Sequence, residues 1–210
     1  MKELIIVGAG GLGRELLLWI EIINREHQQW QIKGFIDDNL KVLEGYECDY
    51  GVIGRIDNWE PGKDEVFACA VADPKAKEKV VTMLKSKGAV FERIIHPTAF
   101  TGKHNKIGEG VVMYPKAQLT VNVTIGDFVT LFSSSVGHDV TIGDYSTISP
   151  FCLLNGNVQV GKRVFMGSHV TVVPGRKIGD DAFLAPGSVI VSNIRPNKKV
   201  MGNPAKTMRV

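Results

Sequence analysis

The first 90 or so residues alternate short apolar runs with longer amphipathic stretches, the pattern of a parallel α/β unit. Leu4–Val7 reads as a buried strand that runs straight into glycines. Beyond it, Leu12, Leu16, Trp19, Ile20 and Ile23 recur at helical spacing, while Arg14, Glu15, Glu21 and Asn24 fall on other faces. Residues 32–36 and 66–71 read as further strands, and 75–87 as a helix carrying Val80, Val81 and Leu84 and stopped by Gly88. Phe91–Ile95 is expected to close the sheet.

Past Ile95 the 3.6-residue period disappears and a six-residue period replaces it. Aliphatic residues stand at Ile107, Met113, Leu119, Ile125 and Leu131. After a single step of five residues the series resumes at Val136 and continues by sixes to Ile190. Four positions after most of these lies a small or β-branched residue, among them Val111, Ala117, Ser135, Ser146 and Cys152. The Ile-Gly-Asp-like turns at 107, 125, 142, 160 and 178 are 18, 17, 18 and 18 residues apart, so three hexads make one coil. A helix would scatter these aliphatics around its circumference, whereas a coil of three short strands turns every one inward. About five coils fit between Ile107 and Arg195. Glycine is expected in the turns for its easy access to positive φ.

Composition adds limits. Hydrophobic residues at 44% and charged residues at 22% are ordinary for a globular chain of 210 residues. A formal charge of +3 does not point to nucleic acid as a partner. Cys48, Cys69 and Cys152 have no CxxC spacing, so neither a disulfide framework nor a structural metal site is predicted. Neither a signal peptide nor a membrane span is read near the start, and a cytoplasmic protein is expected.

Gly8-x-Gly10-x-x-Gly13 sits between a strand and a helix, where backbone N–H groups donate to a phosphate. Asp37 and Asp38, 24 and 25 residues after Gly13, suit a ribose or base. An exposed turn explains the same two aspartates. Among five histidines, His27 lies in the first helix, His96 beside Pro97, and His104 and His169 at fourth hexad positions. His138 differs: it follows the five-residue step, with Ser133, Ser134 and Ser135 before it and Asp139 after it. Irregularities in repeats often mark function, and a neutral imidazole is the usual general base near neutral pH. A solvated turn histidine fits the same residues. The spacings 104, 138 and 169 do not converge as the three ligands of a β-helix zinc enzyme would.

The hexads, the Gly-rich loop, Phe35-Ile36-Asp37-Asp38, Ile95-His96-Pro97-Thr98-Ala99 and Gly202-Asn203-Pro204-Ala205-Lys206 together resemble one family over essentially the whole chain. It is the family of left-handed parallel β-helix sugar acyltransferases with a Rossmann-like N-terminal domain, which includes UDP-4-amino-sugar N-acetyltransferases and sialic acid O-acetyltransferases. The resemblance implies a Rossmann-like nucleotide-sugar domain over residues 1–94 and a β-helix binding acetyl-CoA over 95–210, acting without a metal in surface-glycan biosynthesis. It further implies His138 as base with Asp139 beside it. Gly11, Leu12, Gly13, Asp37, Asp38 and Ala72 would hold the nucleotide-sugar, and Thr147, Gly156, Ser168 and Pro186 the acetyl-CoA. Similar proteins often carry His at the positions of Leu12 and Thr147 and Gly at that of Ala72. Arg195, Lys198, Lys199, Lys206 and Arg209 cluster near the C-terminus, which suits the coenzyme phosphates; a solvated basic tail explains the same residues.

The expected activity is acetyl transfer to the amine of a nucleotide-linked sugar. Sugar O-acetylation and a non-catalytic dinucleotide-binding module are the alternatives, the latter having no use for five coils. Phe128, Phe132, Tyr145 and Phe151 at outward or turn positions predict a homotrimer with sites between subunits, in which His138 and Gly156 are supplied by different chains.

Overall fold

The computed structural model describes residues 1–208 in two compact units, residues 1–72 with 76–94, and residues 73–75 with 95 onward. In the first unit β1 (Lys2–Val7), β2 (Trp30–Ile36), β3 (Val52–Gly54) and β4 (Glu65–Cys69) form a parallel sheet in the order β3-β2-β1-β4. Leu4, Ile5, Ile6 and Val7 are fully buried, which is why the central strand reads as an unbroken apolar run. Helix α1 (Gly11–Glu26) buries Gly13, Leu16, Leu17, Ile20 and Ile23 along one stripe. Helix α2 (Pro74–Ser86) starts on proline and stops before Gly88, whose φ of 93° ends it. The order reverses between β1 and β4, so the segments after β1, β2 and β4 share the carboxyl edge of the sheet.

Phe91–Ile95 does not close this sheet as one strand. Phe91 bridges Phe67 at its edge, whereas Ile94–Ile95 pairs beside Val112–Met113 and begins the solenoid. The three-residue β3 escaped the pattern because Val52-Ile53-Gly54 is too short to alternate.

The second unit is a β-solenoid of two-residue parallel strands in three sheets, ended by Lys199–Met201 and the antiparallel Lys206–Thr207; we name the sheets by an inward residue, the Leu131, Leu154 and Ile142 faces. The aliphatic hexad positions are inside as expected, from Met113 at 1% exposed to Ile190 at 0%. Strands pair 18 residues apart except across the five-residue step, where Thr130 faces Thr147, Gln118 faces Ser135 and Thr124 faces Thr141, each 17 apart, and in the last coil, where Phe183 faces Lys199, 16 apart.

Two turn expectations are corrected. Where a corner has a residue at positive φ it is the third after the aliphatic, and it is mostly not glycine: Asn122, Asp139, Tyr145 and Asn157 have φ of 56–62°. The glycines of the Ile-Gly-Asp turns are instead required by close approach. A Cβ on Gly126 would strike the carboxylate of Asp144, which accepts the Asp127 N–H at 3.1 Å. The five-residue corner has no residue at positive φ, and there Ser134, not Ser135, turns inward. Its buried hydroxyl donates to Ser149 O at 2.8 Å and accepts the Cys152 N–H at 2.9 Å, satisfying backbone groups that the shortened turn displaces.

Candidate active site

Three predicted segments meet at the carboxyl edge of the sheet. Gly8, at φ 96°, turns the chain where a Cβ would press on Ala70 O, so the segment leading to Ala72 runs alongside the Gly-rich loop. A Cβ on Gly13 would strike Gly8 O, so the third glycine lets the helix start close to the strand end. Helix α1 has Gly10 as its N-cap and no side-chain cap, and the N–H groups of Gly11, Leu12 and Gly13 have no acceptor among the described residues. Nothing stands within 4 Å of where side chains on Gly10 and Gly11 would begin, leaving these donors approachable. Arg14 lies over the Tyr46 ring, its guanidinium carbon 3.7 Å from the centroid.

The two aspartates play different parts. Asp37 is half-buried and both oxygens are engaged, Oδ2 by Ala9 N–H and Oδ1 by Asn39 N–H, each at 2.9 Å. It fastens the Gly-rich loop to the end of β2. Asp38 is exposed, accepts the Asp57 N–H at 3.1 Å and lies 3.9 Å from the Arg55 guanidinium.

On the solenoid, the corner between the Leu154 and Ile142 faces stacks Val121, His138, Gly156 and Pro174 in one column. The next column holds Asn122, Asp139, Asn157 and Gly175. His138 Nδ1 and Asp139 Oδ2 are 2.7 Å apart, and the hydrogen bond from His138 holds the Asp139 carboxyl below the usual carboxylate range. An ionised carboxylate only accepts, so the proton lies on Nδ1 and the lone pair on Nε2. The imidazole, 57% exposed, occupies the space above Gly156, where a Cβ would strike Cε1 and Nε2. The Gly156 N–H has no acceptor among the described residues. A basic nitrogen and an unused amide donor therefore share one corner, the pairing an acyl transfer needs.

The remaining candidates lie elsewhere. Ser168 and Pro186 stand on the corner between the Leu131 and Leu154 faces, and Thr147 is buried on the Leu131 face. His138 and Gly156 are in contact on the same chain, which corrects their expected supply by different chains. Ser133 and Ser134 serve the shortened corner rather than the imidazole, with Ser133 Oγ donating to Pro115 O at 2.7 Å. Phe128 is only 2% exposed, stacked on Tyr145 with centroids 5.5 Å apart, whereas Phe151 and Leu153 are 63% and 41% exposed. Arg195 and Lys198 line a cavity of about 230 Å³ with Ser192, Asn193 and Thr207; Arg209 lies outside the described residues. Asn122, which donates to Asp139 Oδ1 at 3.2 Å, was missed. Its only signal in the sequence is its place 17 residues before Asp139.

The chain is similar to known proteins throughout. Residues 3–84 match the PglD N-terminal domain family. The chain is 31% identical over 216 residues to GDP-perosamine N-acetyltransferase of Escherichia coli O157:H7, covering 97% of this chain and 95% of that protein. The acetyltransferase domain of PglB from Neisseria gonorrhoeae, solved in complex with acetyl coenzyme A, superposes with a TM-score of 0.86 at 26% identity over 99% of each chain. PerB from Caulobacter crescentus, solved with CoA and GDP-perosamine, has the same fold, with a TM-score of 0.89 at 23% identity over 100% of this chain and 98% of that one. The solenoid is accordingly the left-handed β-helix of these enzymes. The chain belongs to the family of hexapeptide-repeat β-helix sugar N-acetyltransferases that carry a PglD-type N-terminal domain.

Proposed function

We propose that this protein transfers the acetyl group of acetyl-CoA to the amino group of a nucleotide-linked amino sugar, with residues 1–94 holding the nucleotide-sugar and 95–210 the acyl donor. The observation that carries the chemistry is His138, fixed by Asp139 at 2.7 Å and packed on Gly156. The sugar nitrogen attacks the thioester carbonyl, and Nε2 of His138 takes the proton that the nitrogen loses. The Gly156 N–H supports the developing oxyanion. Collapse breaks the C–S bond, and the imidazolium returns the proton to the leaving thiolate, so no covalent enzyme intermediate is needed. Ser192, at the Arg195–Lys198 cavity, lies three coils beyond His138 on the same corner, about 14 Å at the usual strand spacing. This supports a coenzyme lying along the corner with its phosphates at the cationic end.

The active species is a homotrimer. Gly156 stands on one corner of the solenoid and Ser168 and Pro186 on another, so a coenzyme touching all three needs a second chain. Exposed Phe151 and Leu153 beside the second corner supply apolar surface for that contact. A nucleotide-sugar is an activated glycosyl donor, which fits glycan assembly, and acetyl-CoA as donor fits the cytoplasm.

Coenzyme release measured with nucleotide-linked amino sugars tests the reading. Acetylation of the amine is expected. Release only with a hydroxyl acceptor such as sialic acid would replace it with O-acetylation.

Asp139→Asn keeps a residue tolerant of positive φ and removes the charge. Asp139 stays ionised through the working range and the substrate amine titrates alike with either enzyme, so a change in the acid limb of kcat/KM on this substitution comes from the imidazole. Without the anion the imidazolium is less favoured. The limb therefore moves to lower pH while kcat falls about tenfold. An unmoved limb would refute the pairing.

The two N-terminal aspartates separate by readout. Asp38→Ala should raise KM for the nucleotide-sugar and leave KM for acetyl-CoA unchanged. Asp37→Ala should lower the melting temperature, since two hydrogen bonds to a carboxylate are lost at about 1–3 kcal/mol together. A raised KM for acetyl-CoA in Asp38→Ala would assign the first unit to the coenzyme.

A further inference from the structure

We propose that Asn122 is a positioning residue for the base, an inference that rests on the acetyltransferase reading. Asp139 sits on an exposed corner, its side chain 45% accessible, where no burial holds its carboxylate in one orientation. A carboxylate fixed at one oxygen still turns about its Cβ–Cγ bond. Here the second oxygen is also held: Asn122 Nδ2 donates to Oδ1 at 3.2 Å while His138 faces Oδ2 at 2.7 Å. Both anchors deepen the carboxylate's preference for the ionised form, His138 more than Asn122.

The repeat explains how Asn122 arrives there. Asn122 and Asp139 are the positive-φ residues of successive coils, at 56° and 59°, so their side chains leave the corner in register. The Asn122 N–H bonds Lys103 O, and the Asp139 N–H bonds Val121 O, fixing both backbones independently of the side chains. Asparagine combines tolerance of that backbone with an N–H₂ donor one coil from the carboxylate. The result is a base, an orienting acid and a second-tier donor, the order in which side-chain networks hold a catalytic imidazole. Asn122 bonds the carboxylate and not the imidazole, so it acts on the base through Asp139.

Asn122→Gly deletes the amide while suiting the positive φ, so the corner keeps its fold. The expected result is a three- to tenfold fall in kcat, an unchanged KM for acetyl-CoA, an unchanged melting temperature and an acid limb of kcat/KM moved to lower pH. An NMR titration of the His138 ring Cε1–H, which needs no turnover, should move in the same direction. Asn122→Asp, which keeps the shape but places a second anion beside the first, should move that titration the opposite way. A kcat within twofold of wild type, or a lower kcat with the pH limb and ring titration unmoved, overturns the proposal. His138→Ala, assayed alongside, tells the two readings apart. Loss of turnover there with a wild-type Asn122→Gly sinks only this inference, whereas retained turnover in His138→Ala sinks the reading beneath it.

Discussion

His138→Ala should lower kcat by about 100-fold to 10,000-fold, the range a positioned general base supplies. The fold should not suffer, because the imidazole is 57% exposed and lies outside the apolar core of the solenoid. The protonated amine of an amino sugar is no nucleophile, so without an acceptor at Nε2 only the small neutral fraction of substrate reacts. Raising the pH increases that fraction, and the variant should recover part of its rate in alkaline buffer. Acetyl-CoA binding by calorimetry should stay within a few-fold of wild type, since the removed ring serves the proton rather than the coenzyme. Turnover near the wild-type value would take His138 out of the mechanism.

The solenoid was legible because its signal is periodic and redundant: one misread hexad leaves fourteen in frame, and the aliphatics of every coil meet one another inside. The step between Leu131 and Val136 was legible as an irregularity, but not its consequence. Which serine turns inward depends on where the shortened corner drops a residue, and Ser134 takes the place by bonding two backbone groups that exist only in three dimensions. Phe128 failed for a related reason. Its position in the hexad faces outward, yet its positive φ lays the ring against Gly110 and Tyr145. Asp37 reads as a ligand residue because a carboxylate after the second strand serves a ribose or a backbone amide. The sequence pattern is identical for both, so its bonds to the Ala9 and Asn39 N–H groups were not legible. Asn122 was invisible because the pairing that gives it a role joins successive coils across the step, where the spacing is 17 rather than 18.

Gly156→Ala should cost about 100-fold in kcat, more than a methyl group normally would. The backbone there is not at positive φ, so alanine meets no conformational strain. The methyl group would fall on Cε1 and Nε2 of His138, and the ring must swing away, giving up its bond to Asp139 and moving the base by about 1 Å or more. The same contact fixes how subunits can rescue one another. His138 and Gly156 damage the same corner of the same chain, so mixing His138→Ala with Gly156→Ala chains should restore nothing. A chain with bulky Ser168→Trp spoils only the other corner. In a mixed trimer a site works when an intact His138 corner meets an intact Ser168 corner. At equal mixing that happens for one half of one half, about a quarter of the sites. The assembly should scatter light as about 69 kDa, three times the 23.0 kDa chain. A fully active monomer, or equal rescue by both mixtures, would refute a site shared between the two corners.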